Sequence, residues 1–98
     1  MKYQAGDCVI LILQNPREKV FGIIDELGAA GITIRGIDLE YFEAWSRSIA
    51  NGEPHLAMSE TFFPMWRVER MTKDKGSGDI PSMEEQFEER TGLKLAEC

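Results

Sequence analysis

The sequence predicts a mainly β domain: about five antiparallel strands in a small barrel or strongly bent sheet, one inserted helix and one C-terminal helix. Three observations predict it. The run Cys8–Leu13 is apolar on both of its alternating faces, Cys8, Ile10, Ile12 on one and Val9, Leu11, Leu13 on the other, as in a strand covered on both sides. Gly22 falls in the middle of the second extended run, where a missing side chain suits a sharp bend or a close approach of another backbone. Between the last two extended runs, Met65–Val68 leaves room for a single tight turn.

The elements follow in order. A first strand is expected over Cys8–Gln14. Asn15-Pro16-Arg17-Glu18 reads as a hairpin turn, with Asn at its first position and Pro setting the backbone angle at the next. The second strand covers about Lys19–Glu26, and Gly28-Ala29-Ala30-Gly31 turns the chain into a third, Ile32–Ile37. Asp38 is placed to cap an inserted helix over about 38–50, with Glu40 and Glu43 near its positive end and Arg47 near its negative end. Phe42, Trp45 and Ile49 give that helix one narrow apolar stripe, and Asn51-Gly52 stops it. A fourth strand is expected over Leu56–Phe63, ended by Pro64, and a fifth over Glu69–Thr72. Residues 1–75 thus form the barrel domain. Residues 76–98 form a Gly-containing linker and a helix that opens on the capping box Ser82-Met83-Glu84-Glu85 and ends at Gly92. The apolar anchors of this helix are few, Met83 and Phe87 with Ile80 and Leu93 outside it, so light docking or docking on a partner is expected.

Charge narrows the partners. The chain carries a net −6, and residues 76–98 contribute six acids (Asp79, Glu84, Glu85, Glu88, Glu89, Glu97) against only Arg90 and Lys94. An acidic chain is poorly matched to phosphate backbones, which are bound through Lys and Arg, so RNA is disfavoured as a partner. The start, MKYQAGD, turns polar before any apolar run, and Cys8–Leu13 is too short to span a membrane. Cys8 and Cys98 make neither a disulfide framework nor a metal cluster: Cys8 reads as a small buried hydrophobe and Cys98 as an exposed thiol. A cytoplasmic protein without a membrane partner is the expectation.

No residue pattern calls for a cofactor, a metal or a catalytic centre. There is one histidine, His55, in a loop after Pro54, and no CxxC, HExxH or EF-hand pattern. Ser46, Ser59 and Cys8 lack a base beside them in sequence. The pairs among Glu84, Glu85, Glu88 and Glu89 read as a solvated helix face, and Gly76-Ser77-Gly78 reads as a linker, because the Lys of a phosphate loop is missing. Asp25, Glu26 and Asp38 are the carboxylates an enzyme would have to use, and nothing in the sequence groups them. The candidate partner-binding residues are Trp66, Arg67, Arg70 and Arg35, with Arg17 and Lys19 beside them. Aromatic plus Arg suits protein contacts and base stacking alike, and the alternative is a core Trp66 with arginines paired to Glu60 and Glu69.

Val9-x-Leu11-x-Leu13 and Val20-x-Gly22-x-Ile24, with Arg35-Gly36 and Phe63–Met71, resemble the pattern of Sm-like barrels, a group of SH3-like folds, over residues 7–73. That resemblance implies an RNA-binding ring. However, the loop Glu26–Gly31 lacks the Asp and Asn that form the RNA pocket in that family, and the helix at 38–50 is an insertion. Asn15–Lys19, Arg35–Leu39 and Phe63–Arg70 together also resemble a family of short uncharacterised bacterial proteins. The expected function is a non-enzymatic protein-interaction or assembly module, with Sm-like RNA binding as the alternative. The doubly apolar first strand adds the expectation of a homo-oligomer, because two short helices offer it little cover.

Overall fold

The structure is a computed structural model and describes residues 2–98. β1 (Cys8–Leu13) is an interior strand, antiparallel to β2 (Glu18–Leu27) on one side and to β5 (Val68–Lys73) on the other. β2 pairs with β3 (Gly31–Asp38) and β3 with β4 (Ser59–Pro64), so a single five-stranded sheet runs in the order β4-β3-β2-β1-β5. One turn of 3-10 helix, Met65–Arg67, joins the two edge strands. The turn before β2 differs in detail from the expected one: Leu13 pairs with Glu18, and Asn15 takes a left-handed φ of 53°, which Asn tolerates better than most residues.

The sheet bends where it has no side chains. Gly22 lies directly opposite Gly36, and a Cβ on Gly22 would fall 2.5 Å from the Arg35 carbonyl oxygen and 2.7 Å from Gly36 Cα. Register shifts after Ile24 in β2 and after Ile12 in β1 add twist.

Curvature gives the sheet two faces with different cores. Val9, Leu11 and Leu13 close on Ile24, Ile32 and Ile34 inside the bend, joined by the partly buried Val20, Phe63, Val68 and Met71. Cys8 and Ile10 face outward, against a second cluster of Phe21, Ile37, Phe42, Trp45, Met58, Phe87 and Leu95. The helical segments supply Phe42, Trp45, Phe87 and Leu95 of that second cluster. Both faces of β1 are therefore covered within one chain, and this strand does not require the second subunit that its pattern suggested.

The helices dock by matched local signals. The Asp38 side chain accepts from Glu40 N at 2.8 Å and opens the 3-10 turn Leu39–Tyr41, which runs into α1 (Phe42–Ala50). α1 lays Trp45 against Phe87 of α2 (Met83–Thr91), the rings 5.0 Å apart and stacked, while Phe42 meets Phe21 edge-on at 5.3 Å. The expected capping box forms: Ser82 Oγ accepts from Glu85 N, and Glu85 accepts from Ser82 N. Asp74, just after β5, adds a second tie, accepting from Met83 N at 2.8 Å and Glu84 N at 3.0 Å. Arg90 reaches across to Ser46 Oγ at 2.7 Å and to Glu43. α2 is thus held firmly on its own sheet, with Phe87 and the following Leu95 fully buried, in contrast to the light docking its composition suggested.

The fourth strand begins at Ser59 rather than Leu56. Met58 turns into the core instead, and the Leu56 carbonyl leaves the ladder to accept from Trp45 Nε1 at 2.7 Å. A buried indole N–H needs an acceptor, and this loop provides it.

Candidate interaction surface

Pro64 ends β4, and the chain turns at once through Met65, Trp66 and Arg67 into β5. Trp66 is 63% exposed, so it is not a core residue. Arg67 has the opposite fate. Its Nε donates to the Gln14 carbonyl at 2.8 Å, one terminal nitrogen donates to the Pro16 carbonyl and to Glu18 Oε1 at 2.5 Å, and its guanidinium lies 5.6 Å from the Phe63 ring centre. With Gln14 Nε2 donating to the Trp66 carbonyl, these bonds tie the β1–β2 turn to the turn before β5.

The other two candidate arginines stand apart. Arg35 projects from β3 and donates to the Ala96 carbonyl at 2.7 Å, fastening the C-terminus. Arg70 is exposed on β5 opposite Ile12, with β1 and β2 between it and Arg35. Of the flanking residues, Arg17 pairs with Glu69 at 3.6 Å. The structure therefore gathers only Trp66 and Arg67, and of these two exposes only Trp66.

Two residues the sequence reading passed over share this surface. Phe62 is 54% and Met65 39% exposed. The signal for Phe62 was present: in consecutive aromatics on a strand, one must face each way, and Phe63 turns inward to the Ile32 cluster.

The backbone of β4 completes the surface. Met65 N donates to the Ala30 carbonyl around the pair Gly31↔Pro64, which makes Ile32↔Phe63 and Ile34↔Thr61 the hydrogen-bonded pairs of this ladder. The N–H and C=O groups of Glu60 and Phe62 consequently point away from the sheet, and among the described residues none of them has a partner. At the opposite edge the same phase turns the Met71 carbonyl outward, but there the Tyr3 hydroxyl donates to it at 3.2 Å. β5 also carries Glu69, Arg70 and Lys73, with Lys73 Nζ 3.7 Å from Asp7. One edge is covered and charged, the other bare.

Elsewhere the surface holds shallow, charged clefts, one lined by Arg17, Glu18, Lys19, Asp38 and Glu40 and another by Lys2, Tyr3, Thr72, Lys73 and Lys75. His55 sits in an exposed loop beside its own Glu53 carbonyl. Burial, with Glu84 and Asp74 nearby, pushes the Cys8 thiol up to about 12. Burial and Glu97 likewise raise Cys98. The Ser82 backbone and hydroxyl bonds hold the Glu85 carboxyl below its usual range. No group of three or more His, Cys, Asp or Glu side chains is placed to hold a metal among the described residues, and no helix is long and apolar enough to cross a membrane. Set against known proteins, the chain matches no family model, no curated protein and no solved structure.

Proposed function

We propose that this chain is a non-enzymatic protein-interaction and assembly module, acting through the end of β4 and the turn that follows it. The observation that carries this reading is the exposed run Phe62, Met65, Trp66 beside an unpaired strand edge. Aromatic and methionine side chains are the residues that supply binding energy at protein contacts, and here they are presented on a turn locked by Arg67. A rigid anchor loses little conformational freedom on binding. The two cysteines, unpaired, fit a reducing compartment such as the cytoplasm.

Solution mass is the test, measured by light scattering across roughly 1 to 100 µM, the range in which modest interfaces dissociate, together with capture of partners on immobilised wild type and Trp66→Ala. Association or a captured partner is expected for the wild type, weakened in Trp66→Ala. Because Trp66 is largely exposed, that variant should lose no more than about 0.5 kcal/mol of stability. A protein that stays monomeric and captures nothing ends the proposal.

Kinship with Sm-like barrels is the finer reading that the strand order and the single 3-10 turn before β5 support. In an RNA-binding variant of the proposal, Trp66 would stack a base and Arg70 would meet phosphate. Mass gained with a short uridine- or adenine-rich RNA at low salt, and lost with Arg70→Ala, would favour it over a protein contact.

A further inference from the structure

We infer that the free edge of β4 pairs with β4 of a second copy, antiparallel and centred on Thr61, to make a two-fold dimer with one sheet running through both chains. The inference rests on the assembly reading above and gives it a geometry. β4 offers its outward N–H and C=O groups at two positions only, Glu60 and Phe62. About a two-fold axis at Thr61 these groups are self-complementary. Glu60 of each copy exchanges both hydrogen bonds with the partner's Phe62, and Thr61 meets the partner's Thr61 as the pair between them.

Other registers are worse. Moving the axis to Phe62 sets Glu60 opposite the partner's Pro64, which has no N–H to give. Pairing β4 with β5 of the second copy meets the Met71 carbonyl already taken by Tyr3, along a strand guarded by Glu69, Arg70 and Lys73.

Side chains and charge agree with the register. The only charge on β4 is Glu60, which lies across from Arg35 in its own sheet and would lie across from the uncharged Phe62 in the partner's. The two Phe62 rings, half-exposed in one chain, come to sit diagonally across the axis, within reach for aromatic side chains. Thr beside Thr is itself a favourable cross-strand pair. A six-residue edge with one aromatic falls at the lower end of the roughly 1,000 Å² that a stable interface needs, so the dimer is a weak one, dissociating at about 10 to 100 µM. With a net charge of −6 on each copy, added salt should strengthen it.

The test uses the full chain with Cys8→Ala and Cys98→Ser, in which Thr61→Cys or Ser59→Cys is introduced and oxidised. At the axis the paired Cα atoms lie about 4.5 Å apart, within disulfide range, whereas the two Ser59 positions lie about 14 Å apart. Cross-linked dimer is expected from Thr61→Cys and not from Ser59→Cys. In the otherwise native chain, Glu60→Pro removes an outward N–H without touching the β3 ladder, and Phe62→Glu sets a second carboxylate directly opposite the partner's Glu60. Each should raise the dissociation constant at least about tenfold while far-UV circular dichroism stays native. Association that persists in both variants, without cross-linking at Thr61, overturns the dimer geometry and leaves the assembly reading standing. A protein that neither associates nor captures a partner overturns both.

Discussion

Arg67 shows how a single side chain can change role once its neighbours are known. In sequence it is an arginine after a tryptophan, the pairing that marks a contact surface. In the structure its donors are committed to Gln14, Pro16 and Glu18, and its side chain is only 15% exposed. Charge-assisted bonds to two carbonyls and a carboxylate are among the stronger polar contacts, so Arg67→Ala should cost about 1 to 3 kcal/mol in urea unfolding. Arg67→Lys should recover little of that, because an ammonium cannot replace the planar fork. Should Arg67→Ala prove as stable as wild type, the bonds are not holding the turn. Cys8 makes a second residue-scale case. Its thiol titrates near 12 in the folded protein against an ordinary value of 9.0. Below the ordinary value both states carry the proton and the contribution to stability is complete; as pH rises from 9 towards 12 the unfolded chain alone ionises, and the contribution is lost. The melting temperature of wild type should therefore fall relative to Cys8→Ala as pH is raised through that window. A constant difference between the two proteins would refute the linkage.

At the scale of elements, turns and caps were legible because they depend on a few neighbouring residues. The Asp38 cap, the capping box at Ser82 and the left-handed Gly92 all appear where their residues predict. Element ends that depend on distant partners were not. The fourth strand loses its first residues because Met58 fills the core and the Leu56 carbonyl answers Trp45, eleven positions earlier. α2 looked lightly anchored when its apolar residues were counted along its own sequence. What holds it is Trp45 stacked on Phe87, Asp74 at its amino end and Arg90 on Ser46. Phe87→Ala should accordingly cost about 3 to 5 kcal/mol. A chain ending at residue 75 would expose Trp45, Phe21 and Ile37, and should aggregate or bind a hydrophobic dye. If that shorter chain instead folds with native melting behaviour, the C-terminal helix is an appendage rather than part of the core.

For the whole molecule, the strands and their order carried most of what could be read in advance. Alternation, glycines and prolines specify where strands bend and stop through contacts within each strand or across one turn. Hence the five-stranded antiparallel architecture, the bend at Gly22 and the two helices were present in the sequence by itself. Only the tertiary structure decided what covers the second face of β1, which candidate arginines remain exposed and which sheet edge is left bare. Each of those outcomes turns on residues far apart in the chain: Phe87 over the outer face, Gln14 and Glu18 on Arg67, Tyr3 on the Met71 carbonyl. A local pattern states what a residue needs, a cover or a partner. Which distant group meets that need is settled when the sheet curls and brings the chain's two ends against it.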